Sequence, residues 1–229
     1  MIRKAINKYV SKLKGNSYTI DERIPNSYLL RLAINSVLRK FRGFMSGIRY
    51  EKVPFIGKGV TLKASRNFSC GRGLVIGNYC YIDALSTEGI KVGHNVSIGR
   101  STIIECTGNL QFLGSGLKVG NNVGLGTDNF YGCAGGIEIG DDTIIGNFVS
   151  FHSENHVYSD PTLPIRLQGV THEGIKIGKN CWIGAKVTIL DGAELGDGCI
   201  VAAGAVLIAG QYVSNGIYGG IPAKLIKFR

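Results

Sequence analysis

From residue 56 onward, aliphatic side chains recur every sixth position. The clearest run is "IKIGKNCWIGAKVTILDGAELGDGCIVAAGAVL", with Ile177, Ile183, Ile189, Leu195, Val201 and Leu207 each six apart. Four residues after each of the first five comes a compact residue: Cys181, Val187, Ala193, Cys199 and Ala205. Earlier tracts keep the phase at Ile76 and Ile82, Val92 and Ile98, Val119 and Leu125, Ile139 and Ile145. A helix would drift out of this phase within two repeats, and an ordinary half-buried strand would alternate in twos. Six residues make one short strand and a bend, so three such units close a triangular coil of about 18 residues, and coils stack about 4.8 Å apart. The expected arrangement puts the aliphatic residue inside, the compact fifth residue in a corner, and glycine where the chain turns. Each coil exposes backbone edges until the next one pairs with them, so the repeats stabilise one another. About seven coils are expected, a prism about 34 Å long.

The rhythm stops at "SFHSENHVYSDPTLPIRLQG", Ser150 to Gly169. Ile139 and Ile177 are 38 positions apart, twenty more than one coil requires. Counting Ile139, Ile145, Phe151 places His156 sixth in the last hexad, where the chain leaves the prism. An excursion there projects over a groove without disturbing the stack, and Pro161 and Pro164 restrict how it bends.

The first 52 residues have a different character. Ile2, Ile6, Tyr9 and Leu13 fall on one helical face with Lys4, Lys8 and Lys12 on another, and Leu29 to Met45 again reads as an amphipathic helix. Four cations interrupt that second stretch, which argues against its spanning a bilayer. The expected organisation is therefore a basic helical segment, 1–52, then a repeat domain, 53–229, with an extruded loop at about 156–174 and a C-terminal tail. The charge follows this division: of the net +10, Met1 to Lys52 contribute 12 cations against three acids, and the rest 14 against 13. Two readings of the segment stand: it caps the open edge of the first coil, or its basic faces hold the chain at an anionic membrane surface. No DNA- or RNA-binding module is recognisable, so no nucleic-acid partner is expected. The six cysteines form no CxxC pair and no secretory signal precedes them, which leads to an expectation of reduced thiols in the cytoplasm. Cys80, Cys181 and Cys199 fall at the compact fifth place and read as core; Cys70, Cys106 and Cys133 lie outside the clear register.

The tract "IGKNCWIGAKVTILDGAELGDGCIVAAGAVL…GGIPAKLIKF", with an "NH" before the excursion, resembles the hexapeptide-repeat acyltransferases. The nearest subgroup includes the galactoside, maltose and capsular-polysaccharide O-acetyltransferases, and the resemblance covers about Phe55 to Lys227. It implies a mainly β fold, a left-handed parallel β-helix, although the usual crossover preference is right-handed. It also implies a homotrimer, with acetyl-coenzyme A lying between neighbouring prisms and no metal. By the same resemblance His156 is the general base in a direct transfer to a saccharide hydroxyl, as in surface-polysaccharide synthesis. An alcohol is a poor nucleophile until its proton is taken, and imidazole can take it near neutral pH. Trp182 is expected beside the acceptor or the pantetheine arm. Ala185 and Ala203 would let that arm reach the backbone, and Lys224 and Lys227 would meet the coenzyme's phosphates. Asp128 and Asn129 are the candidates for holding the acceptor hydroxyl. Many relatives carry a Thr-Lys pair where this chain has Ile208 and Ala209, so one cationic contact is missing.

Other readings remain at this stage. His152, four residues before His156, is a second candidate base, whereas His94 and His172 read as surface residues. The rival functions are N-acetylation of an amino-sugar nucleotide, a zinc carbonic anhydrase on the same prism, which needs three converging histidines, and a non-catalytic trimeric β-helix.

Overall fold

The computed structural model describes residues 3, 4, 6–8, 11, 17 and 19–229. Its body is a triangular column of short strands in three parallel sheets. Face I contains eight strands, from Arg49–Tyr50 through Ile137–Ile139 and Ile175–Ile177 to Gly210–Tyr212. Face III contains seven, from Thr61–Lys63 through Phe130–Gly132 and Ser150–His152 to Val206–Leu207. Face II is a three-stranded and a five-stranded sheet, linked through single bridges from Ser97 to Gly124 and from Gly124 to Ile144. The chain visits the faces in the order I, II, III, and strands pair in parallel register with the neighbouring coil: Leu117 with Ile137, Ile144 with Trp182, Tyr131 with Phe151.

The hexad places what was expected inside. Ile76, Ile82, Ile98, Leu125, Ile183, Ile189 and Leu207 are all buried, as is the compact fifth residue in Cys80, Cys181, Val187, Ala193, Cys199 and Ala205. Cys70, Cys106 and Cys133 join them, so all six thiols are core filler. Burial raises the Cys70 and Cys181 pKa values to about 11, far from the thiolate form a nucleophile needs. Midway along, Tyr131 stacks on Phe151 of the next coil with centroids 4.8 Å apart, and its hydroxyl donates to Leu125 O at 2.9 Å.

One detail differs from the sequence reading. The sharp bend falls on the fourth hexad place, not on the glycine of the second. Tyr79, Asn95, Ser101, Asn122, Asp128, Asp142, Phe148, Asn180 and Lys186 all hold positive φ there. The second-place glycines are needed for a different reason: a Cβ on Gly146 or Gly184 would lie within 2.7 Å of the next coil's backbone nitrogen. These glycines permit the close stacking, and the fourth residue makes the corner.

The prism starts earlier than residue 53, because Arg49–Tyr50 already pairs with Ser69–Cys70. Before it, the Asn26–Phe44 helix lies against the first coils on the side of face II. Arg39 Nη2 donates to Ile76 O at 2.8 Å, Arg42 Nη1 to Ile56 O at 3.4 Å, and Lys40 sits over the Phe55 ring. Of the expected first helix, residues 3, 4, 6–8 and 11 have helical backbone, while Ile2, Tyr9, Lys12 and Leu13 lie outside the described residues. At the other end Lys224–Phe228 folds back antiparallel on Gly216–Gly219 and closes the edge of face II. No described helix is long and apolar enough to cross a membrane.

Candidate functional site

The excursion leaves the prism at the corner between faces III and I. Asn155 and His156 pair antiparallel with Thr171 and Val170, making a two-stranded neck, and Val157 N donates to Gly169 O at 3.0 Å. Beyond the neck, Gln168 folds the tip: its side chain donates to Asp160 O and Leu163 O at 2.8 Å and accepts from Asp160 N at 3.0 Å. His156 is exposed, and among the described residues its ring makes no hydrogen bond. Glu154 and His172, across the same neck, hold each other through Oε2 and Nε2 at 2.8 Å. His172 is thus more than the plain surface residue its sequence context implied.

The returning strand is anchored by a residue that the sequence reading missed. Asp191 is 2% exposed, and its carboxylate accepts from Thr171 Oγ1 at 3.2 Å, Glu173 N at 3.1 Å and Gly174 N at 2.7 Å. Its signal was a carboxylate in the hexad place next to a glycine, directly under the excursion's return. A second excursion was also missed. Between Ile103–Glu105 and Leu117–Val119 the same corner bulges outward, carrying Leu110 at 82% and Phe112 at 68% exposure. The corner between the two excursions is floored by Ala134, Gly135 and Gly136, and Gly135 N donates to Ser153 Oγ at 3.0 Å. Two outgrowths thus rise from the same corner on either side of these small residues, with His156 and the Glu154–His172 pair on the neck of the second.

His152 is different. It lies half-buried on face III against the Phe130 ring, 5.4 Å between centroids, and loss of hydration lowers its pKa below the usual histidine value. Above about pH 6.5 the ring is neutral folded or unfolded; below it the unfolded chain takes a proton that the folded chain resists. Folding stability therefore declines as pH drops from that point toward the depressed folded value. We expect His152→Gln to flatten this part of the profile, measured by urea unfolding at several pH values; an unchanged slope would assign the decline to other groups. His94 serves structure: its Nδ1 accepts Arg72 N–H at 3.1 Å, and the Glu51 carboxylate lies 3.8 Å from the same nitrogen.

The remaining predicted residues gather elsewhere. Trp182 lies outward on face II at 56% exposure, paired with Ile144 at 62%. Ala185 and Ala203 occupy the corner between faces II and III, and among the described residues neither peptide N–H has a hydrogen-bond partner. Asp128 is on the same corner two coils above Ala185, with its carboxylate 3.8 Å from the Arg100 guanidinium. Phe148, 59% exposed and at φ 59°, sits between them. A bulky aromatic in that backbone region is strained, and Ile144 and Trp182 add exposed apolar side chains on the adjoining face II. Ile144 and Phe148 were legible only as apolar residues in hexad places that are usually polar. Lys224 and Lys227 are both exposed on the closing strand of face II.

Two expectations change. Asn129 does not face an acceptor: it is 2% exposed, its Nδ2 donates to Leu125 O at 2.8 Å and Gly146 O at 2.9 Å, and its Oδ1 accepts Val149 N at 2.8 Å. It occupies the inward fifth place and ties its own coil to the next one, which removes it from the acceptor set. At the position of the missing Thr-Lys pair, the Tyr212 hydroxyl engages both Ile208 N and Ile208 O, so that peptide is not free for a ligand.

A single prism does not bring these groups together. His156 lies on the corner between faces III and I, and Trp182, Ala185, Ala203 and Asp128 lie on face II and the corner between faces II and III. A surface depression of about 470 Å³ lies on face I and contains none of them. Its walls are cross-coil pairs already satisfied by each other, such as Lys118–Glu138 and Lys176–Glu194. Among the described residues, no three His, Cys, Asp or Glu side chains converge where they could hold a metal ion.

Comparisons with known proteins agree with this architecture. Residues 174–209 match the family described as "Bacterial transferase hexapeptide (six repeats)". A "Probable acetyltransferase" of Mycobacterium tuberculosis is 32% identical over 180 residues, 76% of this chain and 50% of that protein. WbbJ of Escherichia coli, whose name assigns it to lipopolysaccharide biosynthesis as an O-acetyl transferase, is 29% identical over 40% of this chain and 50% of its own. The chain thus spans about half the length of these relatives. Among solved structures, a point mutant of AntD, an N-acyltransferase from Bacillus cereus in complex with dTDP and coenzyme A, superposes with a TM-score of 0.52. It is 22% identical and the match covers 76% of this chain and 83% of that one, which bears on the fold: a left-handed parallel β-helix.

Proposed function

Because residues 174–209 match the hexapeptide-repeat family of bacterial transferases, we propose that the chain is an acetyl-coenzyme A-dependent O-acetyltransferase acting on a saccharide hydroxyl. The observation that carries this reading is the position of His156. It is an exposed imidazole with no competing hydrogen bond among the described residues, held on a two-stranded neck where the excursion leaves the prism. Acetyl-coenzyme A supplies an acetyl group already activated as a thioester. Its groove fits the unpartnered N–H groups of Ala185 and Ala203 and the exposed apolar side chains of Trp182, Phe148 and Ile144. Lys224 and Lys227 offer point charges for phosphate on the adjacent strand.

His156 then has two tasks. It takes the proton from the acceptor hydroxyl as that oxygen attacks, and it returns the proton to the departing thiolate. No covalent adduct with the protein is needed, and the buried thiols could not form one. Asp128, with its free carboxylate face beside Arg100, remains the candidate to orient the acceptor. Since His156 and the candidate coenzyme contacts lie on different corners, the complete site requires two prisms side by side, with the excursion of one meeting face II of another. A homotrimer satisfies this with three equivalent sites.

Trp182 is the single tryptophan, which makes the test direct. Titration with coenzyme A is expected to change its emission. Labelled acetyl-coenzyme A with a panel of saccharides is expected to yield a product from which hydroxylamine releases the label, as for an ester. A hydroxylamine-resistant amide would instead establish N-acylation of an amino sugar, and coenzyme A binding without transfer to any hydroxyl or amine would remove the catalytic reading.

A further inference from the structure

The Asn26–Phe44 helix is oriented the wrong way round for a helix that only packs on its own domain. Leu29 and Gly43 are its buried residues, and toward the prism it also directs Arg39, which donates to Ile76 O. Leu30, Ile34, Val37, Leu38, Phe41 and Phe44 point away, each between 48% and 69% exposed. At 100° per residue these six occupy one arc of about 120°. A soluble helix ordinarily turns such an arc inward, and an exposed apolar stripe of this extent marks a binding surface.

The charges indicate what covers it. Arg31 and Arg42 border one edge of the stripe and Lys40 the other, Arg42 and Lys40 also reaching Ile56 O and the Phe55 ring, and no acidic residue occurs anywhere in the helix. The first 52 residues as a whole carry +9, from 12 cations and three acids. A second copy presenting the same helix would bring like charges together. An anionic bilayer surface matches both features: side chains such as Phe41 and Val37 enter the acyl boundary while the flanking cations stay at the headgroups.

We propose that this helix is an in-plane membrane anchor that holds the prism at an anionic lipid surface. The inference does not depend on the chemistry at His156. It also selects the membrane reading of the basic segment over the capping one, since the helix packs along the side of the first coils.

The test uses the full chain with vesicles of phosphatidylcholine alone or mixed with phosphatidylglycerol, followed by flotation. The protein is expected to float with the anionic vesicles, to stay in solution with the neutral ones, and to be released as salt is raised. Phe41→Asp, at an exposed site, is expected to reduce flotation at least tenfold with an unchanged melting temperature and unchanged transfer to a soluble acceptor. Absence of flotation, or flotation that ignores Phe41→Asp, would overturn the proposal. So would a Phe41→Asp chain of lower assembled mass by light scattering while the unaltered chain ignores lipid, which would give the stripe to a subunit contact.

Discussion

Replacing His156 with alanine is expected to lower acetyl transfer by about 10²–10⁴-fold, the usual contribution of a positioned general base, while leaving coenzyme A binding intact. The Trp182 signal makes the second half measurable, because Trp182 lies on face II and His156 on the opposite corner. The most informative comparison is with His172→Ala. The Glu154–His172 pair, 2.8 Å apart, has the form of a base with its orienting carboxylate, which His156 lacks. If the pair only staples the neck, an exposed pair of this kind contributes about 0–1 kcal/mol, and His172→Ala should reduce the rate modestly. A large loss in His172→Ala with near-normal transfer in His156→Ala would reassign the base. Equal large losses would mean that the neck must be intact to place His156. Asp191→Asn then separates the cases, since it loosens the returning strand without touching either ring.

The second large effect concerns stability. Phe151→Ala should cost about 3–5 kcal/mol, as for other buried aromatics, and lower the melting temperature by about 10 °C for a chain of this size. Phe151 is fully buried and stacks on Tyr131 of the coil before, so its removal leaves a cavity in the middle of the column, where no end can fray to relieve it. Its strand, Ser150–His152, runs directly into the excursion. The variant should therefore lose activity at temperatures well below its global melt, measured by assaying transfer and circular dichroism along the same temperature ramp. Tyr131→Phe is the control: it retains the stack and loses the hydroxyl bond to Leu125 O, worth about 1 kcal/mol. A Phe151→Ala protein as stable as the parent would show that the central coils do not form one cooperative column.

These two expectations depend on different levels of structure. Phe151 could be named as core from the chain alone, because it continues the count from Ile139 and Ile145. The same count put His156 at the exit from the lattice, where the structure has it. Asn129 shows how the count can mislead. It occupies the inward fifth place of its hexad, but a polar side chain in a loop-like tract reads as a ligand contact until its partners are known. Buried among Leu125 O, Gly146 O and Val149 N, it satisfies backbone groups that the corner would otherwise leave unpaired. The second-place glycines were located correctly with the wrong reason attached: their constraint is the backbone of the next coil, which is distant in sequence.

The chain alone determined the column, its period, its inward side chains, the place where it is interrupted and the family it resembles. All of these follow from a repeat in which each six-residue unit meets the same neighbours as the last. Tertiary structure alone decided what faces outward and which corner each group occupies. That includes the Asp191 anchor, the second excursion, the exposed Ile144, Phe148 and Trp182 side chains and the solvent-facing stripe of the helix. Such features depend on which coils become neighbours and on which way a helix is rolled. A period of six leaves its sixth place open to any residue, and a helical stripe does not state which side of the stripe the prism will take.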